Sequence, residues 1–131
     1  ASISPRDPRI QAVLAMAPAV GQAMTPDSLA HIDLPVALFA TADDELLKPH
    51  LNALFYAEHI PEIQLSIQPV GGHFLFLSCN TATYLADWLL PEFNLCGQGI
   101  DVDRNALQSD IAAQAVAFFD QTIGHSVRQD Q

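Results

Sequence analysis

Cationic side chains are scarce in this chain. Five Lys and Arg stand against fifteen Asp and Glu, a formal net charge of −10 over 131 residues. Arg6, Arg9, Lys48, Arg104 and Arg128 are scattered, so no basic face forms to neutralise phosphates, which argues against nucleic acid as a partner. The same charge repels anionic membrane surfaces. No apolar run approaches the roughly 18 to 20 residues of a membrane span, so none is expected. Internal repeats and low-complexity linkers are also missing. Cys79 and Cys96 are the only cysteines and allow one intrachain pairing. Without a Cys-x-x-Cys pair, neither a zinc site nor a thioredoxin-like motif is indicated. Both lie in a loop-rich segment with few other means of ordering it, which favours a disulfide and a periplasmic or secreted setting. Two separate buried thiols in a cytoplasmic protein are the alternative. The chain opens without Met or a signal-peptide pattern and enters an apolar strand early, so a portion of a longer protein is expected.

What is present is apolar. Half of the residues are hydrophobic and only 15% are charged, a composition that folds rather than one that stays disordered. The length suits a single domain over residues 1–131, able to bury roughly two-thirds of the surface its unfolded chain exposes.

Short apolar runs alternate with amphipathic stretches. Ile10 to Ala17 is too short for an ordinary helix and stops at Pro18, so it reads as a buried strand. Thr25, Pro26 and Asp27 supply the cap, the first position and the dipole partner of a short helix. Leu34 to Ala40 reads as a second buried strand, and Pro49 to His59 as a helix ended by Pro61. Ile63 to Pro69 alternates apolar and polar residues, the mark of a strand near the sheet edge. Gly71 and Gly72 then break the chain before His73 and the apolar run Phe74 to Leu77. Thr81 to Leu90 is expected to be helical, and Pro91 to Val102, with Gly97 and Gly99, a loop. Leu107, Ile111, Ala115, Phe118, Phe119 and Ile123 make one helical stripe, and Gly124 stands where a left-handed C-cap is expected.

This order predicts an α/β fold, a parallel sheet of about three strands with flanking helices. Ligand sites in such sheets lie beyond the carboxyl ends of the strands. Asp43, Asp44 and Glu45 follow the second strand, and His73 follows the third. A carboxylate and an imidazole on neighbouring strand ends can meet within hydrogen-bond reach. The carboxylate then fixes the orientation of the ring, which serves as general base and later as general acid.

Four segments carry a resemblance: Arg6-Asp-Pro-Arg-Ile-Gln-Ala-Val13, Thr25-Pro-Asp-Ser-Leu-Ala30, Leu34-Pro-Val-Ala-Leu-Phe-Ala-Thr-Ala-Asp43 and Gly71-Gly-His-Phe74. In order and spacing they resemble the carboxyl-terminal half of α/β-hydrolases similar to dienelactone hydrolase and platelet-activating-factor acetylhydrolase. The resemblance covers nearly the whole chain and implies a partial α/β-hydrolase fold, a small ester or lactone substrate and no cofactor. It makes His73 the catalytic base. Asp43 becomes the acid, because it keeps a three-residue offset from Ala40, which stands where the family has Gly; Asp44 competes for that role. The family's nucleophile sits on a Gly-x-Ser-x-Gly elbow, and none exists here. Gly124-His-Ser126-Val-Arg128 is the nearest string and ends in Arg, while Asn94 stands where an elbow around Cys96 needs Gly.

Plainer readings stand beside these. His73 could be a loop histidine held by a backbone carbonyl, and the acidic run a solvated turn before the helix at Pro49. A metal bound by Asp43, Asp44, Glu45 and His73 matches no familiar ligand spacing. His31, His50, His59 and His125 sit in or beside helices, without an evident role. Phe74 to Leu77 could line an acyl pocket or form core under the histidine, and Tyr84 and Trp88 are expected to pack their helix. The enzyme reading thus competes with a hydrolase-like association module lacking a nucleophile, and with a small regulatory domain using its acidic strand end. If the amino-terminal half is missing, the strand at 10–17 is an apolar edge without Lys, Pro or charge. It is then expected to pair with that half or with a second copy in a homodimer.

Overall fold

The computed structural model describes residues 7–97 and 102–129, with side chains as far as Ile123. Arg6, Gly99 and the side chains of His125, Ser126 and Arg128 lie outside the described residues. Three strands, β1 (Val13–Met16), β2 (Val36–Thr41) and β3 (Gln64–Gln68), pair in parallel in the order β1-β2-β3. Ala15 stands opposite Leu38, and Leu38 opposite Leu65. The expected α/β class is what forms.

Between the strands run α1 (Pro26–Ala30) and α2 (Ala53–His59). Two crossovers of one hand that advance in the same direction place both helices on the same face. Leu29, Val36, Leu38 and Ile60 close that layer, with Phe55 and Tyr56 beside them. Because side chains alternate along a strand, Phe39 points to the other face. There it meets Leu75, Leu107 and Ile111. The last two belong to α4 (Arg104–Gln129), the final helix, which covers this side. All six residues of β2 are buried, as a strand covered on both faces requires. Thr41, at its carboxyl end, is fully buried, and its hydroxyl has no partner among the described residues.

Several local expectations change. The first strand shortens to four residues, with Ile10 exposed before it. The helix expected from Pro49 opens as a 3-10 turn, Pro49–Leu51, and breaks at Asn52, whose side chain accepts from the Gly21 N–H at 3.0 Å. Gly21 cannot carry a side chain, because a Cβ there would stand 2.4 Å from the Leu51 carbonyl oxygen. Gly124 does not end the last helix, which runs on to Gln129: a C-cap glycine works only where the chain turns away.

The segment after β3 follows different rules. Helix α3 (Thr81–Leu89) is held by a capping box, in which the Asn80 side chain accepts from the Ala82 and Thr83 N–H groups and Thr83 answers the Asn80 N–H. Asp87 accepts from the N–H groups of Leu95 and Cys96, and Cys79 and Cys96 are joined by the expected disulfide. Tyr84 and Trp88 do not pack their helix as expected. They are exposed with Leu85 and Leu89, and no residue of α3 is buried.

Candidate active site

Both candidate segments leave adjacent strands at their carboxyl ends. After β2 the chain enters a turn built by Asp44, whose Oδ1 accepts from the N–H of Leu46 at 3.0 Å and of Leu47 at 2.6 Å. A short acceptor side chain that bonds the backbone two and three residues ahead is the usual way Asp makes such a turn. This leaves the second oxygen pointing across the sheet. After β3, Gly71 takes a φ of +95°, a conformation side chains resist, and a Cβ there would also sit 2.7 Å from the Leu75 side chain. The chain thereby drops directly into a 3-10 turn, His73–Phe76, anchored by fully buried Leu75.

These two turns bring Asp44 Oδ2 to 2.9 Å from His73 Nδ1. The Asp44 side chain is 2% exposed and that of His73 22% exposed. The His73 backbone N–H also reaches Glu45 Oε2 at 3.3 Å. The carboxylate that meets the histidine is therefore Asp44 and not the Asp43 favoured by spacing, which is exposed to solvent. The three-residue offset counted from Ala40 fails because β2 continues through Thr41, so the turn begins one residue later. Burial and loss of solvent fall on the residue that has partners.

Around the ring lies a cleft of about 320 Å³, lined by Met16, Ala17, Leu47, Phe74, Phe76 and Leu77 with His73. Phe74 packs edge-on against the imidazole at 5.0 Å. The apolar run after the histidine thus divides: Leu75 is core, while Phe74, Phe76 and Leu77 line the cleft. Ala17, just past β1, has a φ of 46° and donates its N–H to the Phe39 carbonyl at 2.8 Å. Non-glycine residues seldom adopt that conformation.

Arg104, at the start of α4, ties the histidine turn down from outside. Its Nη1 donates to the carbonyls of Phe74 at 2.9 Å and Leu77 at 3.2 Å, with Leu75 at 3.4 Å. Its Nη2 reaches the Leu95 carbonyl in the disulfide segment at 3.2 Å. Burial pulls the guanidinium below its ordinary value, against smaller upward contributions from Tyr84 and Asp87. The sequence reading missed this residue: a single Arg opening a helix carries no signal until the carbonyls it collects are placed.

His31 and His59 bond carbonyls one helical turn behind them, Asp27 and Phe55, as helix-bound imidazoles do. Among the described residues, no group of three His, Cys, Asp or Glu is placed to hold a metal.

Chemically, a buried carboxylate bonded to Nδ1 favours the tautomer with the proton on that atom, which leaves Nε2 able to accept one. No family model, curated protein or solved structure matches this chain.

Proposed function

We propose that this chain supplies the acid and the histidine of a Ser-His-Asp relay that hydrolyses a small carboxylic ester or lactone, as the resemblance to dienelactone-hydrolase-like proteins implies. The observation that carries the reading is the buried Asp44 carboxylate bonded to His73 beside an apolar cleft. His73 Nε2 takes the proton of a serine hydroxyl as the oxygen attacks the ester carbonyl, and returns it to the leaving alcohol. A water then repeats the exchange on the acyl-enzyme, giving the acid and the free serine. Asp44 stays ionised throughout and holds the imidazolium. The chain contains no Gly-x-Ser-x-Gly, so the serine comes from residues outside these 131. In the resembled fold that elbow follows the strand beside β1, whose end, Met16 and Ala17, borders the cleft. The Cys79–Cys96 disulfide supports an oxidising, periplasmic or secreted compartment.

A second reading, an association module, is favoured by one observation. β1 lies at the sheet edge, and beside it opens a groove of about 260 Å³ lined by Leu14, Met16, Phe76, Ile111 and Ala115 among others. An open apolar edge is a template for another strand, from an amino-terminal half or from a second copy.

The test is turnover of an activated ester by the natural gene product, residues encoded ahead of Ala1 included. His73→Ala and Asp44→Asn are each expected to lower kcat by about 10³ to 10⁴. Asp43→Asn is expected to change it by less than a surface substitution's factor of about two. Retained turnover in His73→Ala, or a collapse in Asp43→Asn with Asp44→Asn unaffected, overturns the assignment. A gene product without esterase activity of any kind leaves the association module as the better reading.

A further inference from the structure

The chain that leads into His73 gives it little support. Gly71 and Gly72 precede it, and residues without side chains pack nothing and leave the backbone its widest freedom. From in front, Asp44 Oδ2 meets Nδ1 and Glu45 Oε2 meets the backbone N–H. Both contacts act on a ring that must already be in place. That place is set downstream, by the turn His73–Phe76 and by what the turn rests on.

It rests on the first turns of α4. Arg104 and Gln108 stand four apart, on one helix face. Arg104 Nη1 donates to the carbonyls of Phe74, Leu75 and Leu77, and Gln108 Nε2 donates to that of Phe76 at 3.4 Å. Every carbonyl from Phe74 to Leu77 is thus collected by α4, and the Ser78 hydroxyl donates to Gln108 Oε1 at 3.2 Å. A single helical turn leaves its last carbonyls without partners of its own, and a cation suits them. Leu107 and Ile111 join Leu75 in one core cluster, so polar grip and apolar contact hold the same turn. The base of this clamp is itself fixed. Asp103 caps α4, its Oδ1 accepting from the N–H groups of Asn105 and Ala106 at 3.0 Å.

Arg104 occupies its position against local preference. A cation in the first position of a helix opposes the helix dipole, so α4 gains nothing from it. A residue that breaks a local rule has its reason in tertiary structure. Here the reason is reach: with Nη2 on the Leu95 carbonyl and Nη1 on the histidine turn, the guanidinium plane is held from two sides. A single-point ammonium cannot reproduce that.

We infer that Arg104 is a positioning residue for His73: by gathering the carbonyls of Phe74, Leu75 and Leu77 it holds the imidazole where Asp44 can keep the proton on Nδ1. The placement of the ring stands on contacts within this chain. Only its use as the base of an ester hydrolysis rests on the proposed relay.

The neutral His73 ring reports directly, because long-range proton–nitrogen spectra tell a protonated ring nitrogen from a bare one. In the 131-residue protein the proton is expected on Nδ1. Arg104→Met, similar in length and unable to donate, is expected to lose that pattern and show a mixture of the two tautomers. Arg104→Lys, which keeps the charge without the fork, is expected to fall between, and it decides the matter if Arg104→Met does not stay folded. His31 and His59 bond carbonyls one turn behind them and serve as internal controls that should not move. A general loss of stability lowers the folded fraction without changing the tautomer of the folded molecules. In the natural gene product, Arg104→Met is expected to lower kcat about tenfold to a hundredfold with KM within about twofold. The inference is overturned if the folded variants keep the wild-type ring pattern. It is overturned equally if His31 and His59 change along with His73, which would make Arg104 a general support of the fold. A gene product without esterase activity removes the relay and leaves the ring pattern alone to decide this inference.

Discussion

Strand β2 and helix α3 are both rich in large apolar side chains, yet every residue of β2 is buried and none of α3 is. In β2 the apolar residues themselves are the means of attachment: Leu38 and Phe39 each enter a different layer of the core. Around α3 the fixed contacts are polar and covalent and stay within residues 78–96, through Asn80, Thr83, Asp87 and the disulfide, and they leave the large apolar side chains of the helix exposed. Apolar content therefore says that a segment has something to cover; the small polar hooks beside it say which way it turns.

The comparison breaks most clearly under truncation. Phe39→Ala is expected to cost about 3 to 5 kcal/mol in a urea denaturation series, because it empties a packed layer. Trp88→Ala, a larger truncation, is expected to stay within about 0.5 kcal/mol. Equal losses would mean α3 is covered in solution. Next in size is the cross-link. Replacing Cys79 and Cys96 together with Ser is expected to cost about 3 kcal/mol on the chain-entropy model, provided α3 unfolds with the sheet. The native protein should resist alkylation and show a mass about two daltons below its reduced form. If the double replacement instead leaves the global midpoint unchanged and opens residues 79–97 to proteolysis, the two regions are separate cooperative units.

Arg104 joins the two regions, so Arg104→Met sharpens the boundary between them. Charge-assisted bonds to several carbonyls are lost together, and about 1.5 to 3 kcal/mol is the expected cost in the same denaturation assay. The smallest effect belongs to the sheet side. Tyr56 donates its hydroxyl to the Ala19 carbonyl at 2.7 Å, and burial pushes it above its ordinary 10.0. A raised value in the folded state contributes stability that is complete below pH 10 and lost as pH rises through the folded value. Tyr56→Phe should therefore flatten the alkaline end of the stability profile and leave neutral pH behaviour nearly unaltered, apart from the lost bond.

Strand β2 and the stripe Leu107, Ile111, Phe118 could be read from the sequence because apolar pattern and burial coincide there, while β3 was legible from its alternating residues alone, none of which is fully buried. The meeting of a carboxylate with His73 was legible for the same reason, since strand order alone puts those two ends together. Which carboxylate was not legible: Asp43 and Asp44 differ only by one residue of strand length, a boundary set by pairing with β3 through Gln68. The packing expected of Tyr84 and Trp88 rested on hydrophobicity, and the side chains that reversed it, Thr83 and Asp87, act through backbone groups that no pattern displays. Arg104 belongs to the same class.

Asp44 divides its two oxygens between tasks, one holding the turn at Leu46 and Leu47, the other holding His73. The division gives the residue a polarity that an amide can keep only in half. In Asp44→Asn the carbonyl oxygen would stay with the two backbone N–H groups, leaving the NH₂ to face the ring. His73 Nδ1 must then accept instead of donate, and its proton moves to Nε2. The turn survives, the fold survives, and Nε2 changes from a proton acceptor to a proton donor. A single atom exchanged in a buried turn thus reverses the direction in which the site can move a proton, without displacing anything that lines it.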